Sequence, residues 1–485
     1  MKPKNLLLIM SDEHNPKIMG CAGHPLIQTP NLDALAARGT RFTSAYTTCP
    51  ICIPARAGFA LGKYVHQAGY WDNADPYEGA SPSWHHYLRD RGHEVVSIGK
   101  LHFRGRPGDD HGFSQEIVPM HVIDDGNGDI KGLVRDDIPV RKGGEKMARL
   151  AGPGESPYTV YDRDIAARAQ VWLHEAAKRQ HAKPWVLFVS FVAPHFPLTA
   201  PPEWFYRYQA AGLPLPKLYD RQVRPRHPFT DDYARVVDYD THFHSNDDVR
   251  RALAGYYGLV STTDQHIGHL LEALHSSGLQ DETRVLYTSD HGDNLGARGL
   301  WGKSTFYEES AGVPLIVSGE GIPAGLTRTE ATSHVDVFPF VFDCLGEPLP
   351  RDPDLRGISL AELAHRPQID RTVVSEYHAT ASRAGGYMIR KGRFKYCHYV
   401  LYPPQLFDLH EDPEELHDLA GHPDHQLVLE EMRAAMYAWF DPQEVDHRAK
   451  RRQGELLQMH GGREAALAKG DLGFTPAPGT SAEID

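Results

Sequence analysis

The stretch NLLLIMSDEH, residues Asn5–His14, sets out the architecture of the chain. Its first part, Asn5–Met10, is almost continuously apolar, which is typical of a strand buried on both faces of a mainly parallel sheet. A polar cluster, Ser11–His14, follows at once. In open α/β sheets, ligands bind beyond the carboxyl ends of the strands. The stretch therefore predicts a core strand that ends at a functional site.

Further short apolar runs predict more buried strands of the same kind. They are Glu94–Ile98, Trp185–Val192, Thr283–Ser289 and Leu315–Val317. Helical patterns lie between them, and the first has Thr29 as its expected N-cap and Pro30 at its first position. The remaining predicted helices are Arg163–Lys178, Val249–Ser276 and Val335–Leu345. Strands and helices that alternate over this much of the chain predict a layered α/β sandwich.

Composition and charge narrow the class of protein. The chain has 485 residues, a net charge of −13 and five cysteines. The acidic balance argues against nucleic acid as the main partner. No run approaches the roughly 18 apolar residues of a membrane helix, and the apolar run near the N-terminus is too short for a signal-peptide core. Five cysteines are too few for a disulfide framework, which favours a cytoplasmic protein with reduced thiols. We also expect no membrane partner.

The sequence pattern changes along the chain and predicts three parts. A catalytic domain is expected over residues 1–369, and a small subdomain with an antiparallel sheet and a helix over 370–445. Residues 446–485 are expected to form either a flexible tail or an arm that reaches a neighbouring subunit. Two stretches rich in Gly, Asp and Pro, 105–156 and 201–248, predict long surface segments of the kind that build substrate walls.

The polar clusters after the predicted strands suggest a metal site. Asp12 and Glu13 follow the first strand, while Asp290 and His291 follow the strand Thr283–Ser289. Oxygen ligands favour Ca²⁺, Mg²⁺ or Mn²⁺, and an imidazole favours Mn²⁺ or a transition metal. Any one of these residues alone could equally be a helix cap or a surface charge. Convergence of several strand ends makes the metal site the better interpretation.

A second set of residues suits an anionic substrate. Lys100 and His102 lie two positions apart, so in a continuing strand their side chains share one face. A cation beside an acid–base group can bind and process an anion. His195 follows another predicted strand, and Lys303 lies among glycine and aromatic residues. Each alone would be read as a surface lysine or a packed histidine.

Taken together, these motifs resemble the sulfatase family of the alkaline phosphatase superfamily. The segment CIPAR, Cys52–Arg56, is similar to the family's Cys-x-Pro-Ser/Ala-Arg signature, with Gly62 at the usual place downstream. Further segments resemble the family in the same order: Thr29–Tyr46, Gly99–Phe103, Ala193–Pro197, Ser289–Val317 and Leu406–Ala420. The resemblance is closest to the choline-sulfatase and arylsulfatase-like branch. It implies an alkaline-phosphatase-like three-layer α/β sandwich with a smaller C-terminal domain.

The resemblance also implies a modified residue. In this family a formylglycine-generating enzyme oxidises the signature cysteine, here Cys52, to Cα-formylglycine. One hydroxyl of the hydrated aldehyde attacks the sulfur of a sulfate ester, and the second hydroxyl then helps to expel sulfate. A single hydroxyl would remain trapped as a sulfate ester. The rival interpretation is a non-catalytic protein of the same fold that keeps Cys52 as a buried thiol. Cys49 is expected to be an ordinary structural cysteine.

Metal binding carries over position by position from the family. Asp12, Asp290 and His291 resemble ligands of one divalent ion, together with Cys52 as its modified form. Calcium is the first expectation and manganese the alternative. Glu13 is a further candidate ligand, although many relatives have Asp or Gln at this position.

The substrate-facing roles carry over in the same way. Arg56 would orient and stabilise the formylglycine hydrate, while Lys100 and Lys303 would hold the sulfate oxygens. His102 resembles the base that helps to expel sulfate. His195 resembles the acid that protonates the leaving alcohol.

The branch of the family is less determined. Asn73 matches an asparagine near the substrate in choline-sulfatase-like enzymes, and it also occurs in phosphonate monoester and phosphodiester hydrolases. Lys100 and His102 favour sulfate, because the phosphonate hydrolases have neutral hydroxylic residues there. We therefore expect a homo-oligomeric hydrolase of small aryl, alkyl or choline-type sulfate esters, with phosphonate or phosphodiester hydrolysis as the alternative. A cage for a quaternary ammonium could come from Trp204–Tyr208 or from acidic residues of the C-terminal tail.

Overall fold

The protein is described from a computed structural model, whose described residues are 1–123, 125–366, 369–471 and 473–481. Its strands, in chain order, are β1 (Asn5–Asp12), β2 (Gly39–Phe42), β3 (Ala45–Tyr46), β4 (Val95–Lys100), β5 (Gln115–Met120), β6 (Gly152–Pro153), β7 (Val186–Pro194), β8 (Thr199–Ala200), β9 (Thr283–Ser289), β10 (Leu315–Ser318), β11 (Leu326–Arg328), β12 (Thr332–Ser333), β13 (Thr372–Tyr377), β14 (Gly386–Lys391), β15 (Phe394–Tyr399) and β16 (Tyr402–Asp408).

The α-helices lie between and after these strands. They are α1 (Pro30–Ala37), α2 (Cys52–Leu61), α3 (Val65–Ala68), α4 (Trp84–Asp90), α5 (Gly143–Arg149), α6 (Pro157–Ala176), α7 (Pro202–Ala210), α8 (Pro228–Val237), α9 (Tyr239–His242), α10 (Asn246–Ser276), α11 (Glu308–Ala311), α12 (Val337–Leu345), α13 (Leu360–His365), α14 (Gln426–Tyr437), α15 (Pro442–Met459) and α16 (Gly462–Ala468). None of these helices, within the described ranges, is long and apolar enough to cross a membrane.

The main sheet has eight strands in the order β11-β2-β10-β9-β1-β7-β4-β5. Strands β9, β1, β7, β4 and β5 run parallel, which confirms the predicted mainly parallel sheet. The predicted strand at Leu315–Val317 is present as β10, but it runs antiparallel to both neighbours. The chain between β9 and β10 stays at the edge of the sheet where β9 ends and does not cross to the opposite edge, as the connection to a parallel strand would. β10 therefore begins at this edge and runs in the direction opposite to β9.

The two faces of β1 are buried against different helices. Leu6, Leu8 and Met10 lie in one apolar cluster with side chains of α2, α4 and α12. Leu7 and Ile9 lie in another cluster with side chains of α1, α6 and α10. Because successive side chains of a strand point to opposite faces, one apolar run supplies both cores. The resulting helix–sheet–helix arrangement is the predicted three-layer sandwich.

The C-terminal part has its own antiparallel sheet, β13-β14-β15-β16, as predicted. Its apolar face packs with α14 and the first turns of α15. The stretch expected to be a tail, 446–485, contains most of α15 and all of α16. After α16, residues 473–475 return to the main domain of the same chain, at the edge where the parallel strands end.

Candidate active site

Helix α2 presents its first residue, Cys52, at the carboxyl edge of the main sheet. The helix is buried along its whole length, and Gly62 ends it with a φ of 65°, a left-handed conformation that favours glycine. Pro54 is tolerated because the first-turn amide would have no intrahelical partner. The side-chain oxygen of Asn73 accepts a hydrogen bond from the Ile53 amide at 3.2 Å. Because Cys52 is the first residue of α2, the positive end of the helix dipole lies beside it and favours a bound anion.

The predicted metal ligands converge on Cys52. Its Sγ lies 3.1 Å from His291 Nε2 and 3.7 Å from Asp12 Oδ1. Asp290 follows β9 directly, and β9 is the parallel neighbour of the strand that carries Asp12. His291 donates its Nδ1–H to the Gly292 carbonyl, which leaves the Nε2 lone pair facing the cluster. One ligand atom from each of these four side chains lies within 4.8 Å of the others.

Glu13 borders this cluster and lies in a second group of close polar side chains, together with Lys303 and His195. Its Oε2 lies 3.1 Å from Lys303 Nζ and 3.4 Å from His195 Nε2. Its Oε1 is buried without a hydrogen-bond partner among the described residues. The carboxyl group can be grouped with Asp12 and His195 but not with Cys52. Burial raises the pKa of Glu13 to about 8, because the Lys303 charge only partly offsets the loss of hydration.

Arg56 is buried beneath the cluster and holds its carboxylates. Its guanidinium donates to Asp290 Oδ2 at 2.8 Å and to Asp12 Oδ2 at 3.0 Å. It also donates to the Lys100 carbonyl and to the Ser190 hydroxyl. Burial by itself would raise the pKa of Asp12, but the charges of Lys100 and Arg56 hold that pKa well below its usual value. The arginine thus positions the two carboxylates rather than lining the pocket.

A pocket with a cavity volume of about 120 Å³ opens in front of Cys52. Its lining includes every predicted substrate-facing residue except Arg56: Asn73, Lys100, His102, His195 and Lys303. Lys303 Nζ lies 3.2 Å from Cys52 Sγ, and Lys100 Nζ lies 2.6 Å from Asp12 Oδ2.

The expected convergence of Lys100 and His102 is present, but a continuing strand does not produce it. Strand β4 ends at Lys100, and His102 has a left-handed backbone with a φ of 58°. Glu13, another non-glycine residue of the site, also has a left-handed backbone conformation, with a φ of 69°. Such backbone strain is typical of functional sites, and nothing in a single sequence reveals it.

The C-terminal segment of the same chain closes one side of the pocket. The Thr475 hydroxyl is 2.9 Å from His102 Nε2, and Tyr158 donates its hydroxyl to the Thr475 carbonyl. The Phe474 ring meets Tyr158 and Phe196 edge-on, with centroids 5.5 and 5.6 Å apart. Only acidic residues of the tail were expected near the substrate, so the role of Phe474 and Thr475 was not predicted. An aromatic residue in a polar terminal stretch was the only available signal.

One of the two segments that were predicted to build substrate walls lines the pocket. The predicted wall segment 105–156 supplies Val122, Ile123, Asp129 and Arg141. Arg141 is paired with Asp129 at 2.8 Å and with Asp471 at 2.6 Å. The other segment, 201–248, contains the helices α7, α8 and α9.

The suggested aromatic cage at Trp204–Tyr208 is wrong. These residues form part of α7, where Phe205 and Tyr208 are buried in an apolar cluster with α10. Trp204 donates its indole N–H to Gln265 on α10. In the described part of the chain, the aromatic side chains of the pocket come instead from Tyr158, Phe196 and Phe474.

Two buried histidines of the pocket are neutral in the free protein. Burial, followed by the Lys100 charge, lowers the pKa of His102 well below its usual value. Burial, followed by the Lys303 charge, does the same to the pKa of His195. His102 Nδ1 is buried without a hydrogen-bond partner among the described residues. His195 donates its Nδ1–H to the Phe196 carbonyl, which directs Nε2 towards Glu13.

Comparison with known proteins identifies the family and agrees with the fold. Residues 4–347 match the family model described as Sulfatase, and residues 296–440 match the one described as N-sulphoglucosamine sulphohydrolase, C-terminal. The chain is 34% identical over 433 residues to a choline-sulfatase of Rhizobium meliloti (strain 1021), covering 86% of this chain and 83% of that protein. It is 29% identical over 443 residues to arylsulfatase K of Rattus norvegicus, covering 86% and 74%.

The solved structures show the same fold. The phosphonate monoester hydrolase of Agrobacterium radiobacter superposes with a TM-score of 0.73 at 23% sequence identity, covering 90% of this chain and 95% of that one. Because the sulfatase model spans most of the chain and the choline-sulfatase is similar over most of it, the chain belongs to the sulfatase family of sulfate-ester hydrolases.

Proposed function

We propose that the protein hydrolyses sulfate monoesters of small alcohols at the pocket around Cys52, with this residue converted to Cα-formylglycine. The observation that carries the proposal is the position of Sγ, within 3.1–3.7 Å of His291 Nε2, Lys303 Nζ and Asp12 Oδ1. Burial, with the Asp12 charge, raises the pKa of the thiol to about 12. A thiolate nucleophile needs a lowered pKa, so the surroundings suit a different nucleophile at this position.

The chain's own residues fit a divalent cation beside Cys52. Asp12 and Asp290 offer carboxylate oxygens, His291 offers a correctly oriented Nε2, and Glu13 Oε1 is buried without a described partner. The carboxylate oxygens favour Ca²⁺, and the imidazole keeps Mn²⁺ as the alternative. When bound, the ion would supply Lewis-acid polarisation of a reacting oxygen. Arg56 donates hydrogen bonds to both aspartates and would hold them in place for this role.

The two lysines are placed to bind the sulfate group. Lys100 is 1% exposed and Lys303 is 14% exposed at the side chain, so both ammonium groups lie largely out of water. Fixed charges in a dry site stabilise developing negative charge more strongly than they would in water. Asn73, which also lines the pocket, would orient an oxygen of the same group.

The two histidines would move protons on opposite sides of the reaction. His102 is neutral and has a free Nδ1, which is the form that a base requires. His195 lies at the side of the pocket with Phe196 and Phe474, where the alcohol would leave. A sulfate group held near Lys303 would favour the charged imidazolium of His195, because a neighbouring anion raises the pKa of a histidine.

The Thr475 hydroxyl is expected to position His102. In Thr475→Val the 2.9 Å hydrogen bond to His102 Nε2 is lost while the shape is kept. A net hydrogen bond is worth about 1 kcal/mol, so kcat should fall about fivefold with KM nearly unchanged. Steady-state kinetics on one sulfate ester measures this. Thr480→Val is the control, since among the described residues that hydroxyl bonds the nearby Ala477 carbonyl. An unchanged kcat in Thr475→Val would show that packing alone holds the ring.

The alcohol side of the pocket favours a small uncharged group. Tyr158, Phe196 and Phe474 provide aromatic faces there, and the charge of Arg141 is already paired with two aspartates. Aryl and short alkyl sulfates therefore fit best. The fold similarity to a phosphonate monoester hydrolase keeps that activity as the second candidate.

A turnover panel on one purified sample tests the proposed function. It compares an aryl sulfate, an alkyl sulfate, choline sulfate, a sugar sulfate, a phosphonate monoester and a phosphodiester. We expect the highest kcat/KM for the aryl or alkyl sulfate. A phosphonate monoester or phosphodiester that exceeds every sulfate ester would overturn the assignment in favour of the alternative.

Maturation of Cys52 would require a formylglycine-generating enzyme as a partner. All five cysteines are free in the structure, which supports the expected cytoplasmic location.

A further inference from the structure

A second group of metal-binding side chains lies outside the active site, around the edge strand β5. His111 precedes the strand, Glu116 lies on it and His121 follows it. One ligand atom of each lies within 4.8 Å of the others. Glu116 Oε1 is 2.8 Å from His111 Nδ1, and Glu116 Oε2 is 3.1 Å from His121 Nε2. A tetrahedral ion with bonds of about 2.1 Å needs ligand atoms about 3.4 Å apart, so small shifts suffice to accommodate one.

The histidine rings have the orientation of metal ligands. His111 donates its Nε2–H to the Arg104 carbonyl at 2.8 Å, which fixes the ring and turns Nδ1 towards Glu116. Ligating histidines usually donate their other ring N–H in this way. His121 Nδ1 is buried without a described partner, so only its Nε2 is engaged.

The chemistry of these donors selects the ion. Two imidazoles with one carboxylate suit Zn²⁺, whereas Ca²⁺ and Mg²⁺ prefer all-oxygen sites. The side chains of Glu116 and His121 are 23% and 19% exposed, which gives an ion access from solvent. We propose that His111, Glu116 and His121 form a second, Zn²⁺-binding site, completed by water and separate from the cluster around Cys52.

Such a site would brace the strand end that carries catalytic groups. Among the described residues, β5 is the outermost strand of the main sheet and pairs with β4. The Met120 carbonyl, adjacent to His121, accepts the amides of Leu101 and His102. A metal ion that ties His111 to His121 would therefore fix an exposed edge and the backbone beneath His102.

The test uses Zn²⁺ alone as the probe, on the full chain stripped of metals and then saturated with Ca²⁺. Titration calorimetry and elemental analysis count the bound zinc, and the absorption spectrum of bound Co²⁺ reports the ligand set independently. We expect one tight equivalent in the wild type. His121→Gln should weaken it by about 100-fold or more, since loss of even an outer-sphere partner costs 10–100-fold. His111→Gln should do the same, and His121→Gln alone is sufficient if that variant does not fold.

Two control variants separate the outcomes. His181→Gln removes a histidine with the same 19% side-chain exposure and a single glutamate neighbour, Glu94, and should keep the zinc equivalent. Asp12→Asn disrupts the cluster around Cys52 and should also keep it. Equal zinc binding in wild type and His121→Gln, no tight equivalent in the wild type, or its loss in Asp12→Asn would each overturn the proposal.

Discussion

Replacing Cys52 with alanine should lower kcat/KM for every sulfate ester by at least about 10³-fold, as for other nucleophiles of covalent catalysis. Cys52 Sγ is the atom on which Lys303, His291 and Asp12 converge, so the variant removes the group that all three serve. The fold should survive, because alanine continues α2 well and the change removes one buried sulfur. Circular dichroism and thermal unfolding check the fold, and turnover of an aryl sulfate checks the activity.

A neighbouring cysteine supplies a matched control for this prediction. Cys49 is also fully buried, three residues earlier, and packs in the apolar cluster of the C-terminal sheet. Cys49→Ala should therefore change stability slightly and leave turnover within a few-fold of the wild type. If both alanine variants lost activity equally, the loss would come from packing of this region and not from a nucleophile at position 52.

Serine at position 52 separates covalent from non-covalent catalysis. The single Oγ–H of Cys52→Ser can attack sulfur and release the alcohol, but it has no second hydroxyl to expel sulfate. We expect at most one turnover per molecule and a peptide that carries a sulfate ester at residue 52. In the active wild type, mass spectrometry should find an aldehyde at this residue. Full activity in a sample whose Cys52 is entirely thiol would contradict the mechanism.

The core of the fold can be predicted from the sequence because a strand buried on both faces appears as a continuous run of apolar residues. The apolar run of β1 fills the clusters on both faces of the sheet, and the same pattern correctly predicts β4, β7 and β9. The direction of β10 could not be predicted, since an apolar strand of four residues looks the same in either direction. Thr29 precedes α1 as predicted, but its hydroxyl bonds Asp33 and the Gly20 amide and does not cap the helix.

In the candidate site, too, some contacts could be predicted from the sequence and others could not. Asp12, Asp290 and His291 could be predicted to meet, because they follow strands whose carboxyl ends share one edge. The roles of the C-terminal residues could not, because Thr475 reaches His102 across 373 positions through a segment without regular structure. Such a contact depends on the path of the whole chain, and no local periodicity or spacing encodes it.

Replacing His195 with asparagine should produce an effect that depends on the leaving alcohol. A proton delivered at His195 Nε2 matters most when the alcohol is a poor leaving group, because an alkoxide is far less stable than a phenolate. General acid catalysis typically contributes 10²–10⁴-fold. We therefore expect kcat/KM of His195→Asn to fall by about that factor for an alkyl sulfate, and by less than about tenfold for an aryl sulfate with an electron-poor ring.

The dependence on the leaving group distinguishes this role from binding. A series of aryl and alkyl sulfates of graded alcohol pKa gives the slope of log kcat/KM against that pKa, and the slope should become steeper in His195→Asn. His266→Asn is the matched control: its ring also stacks on a phenylalanine, Phe191, but lines a different surface groove. The control should keep the wild-type slope. A loss in His195→Asn of the same size for every ester would mean that the ring only shapes the pocket or binds sulfate, and that the proton comes from elsewhere.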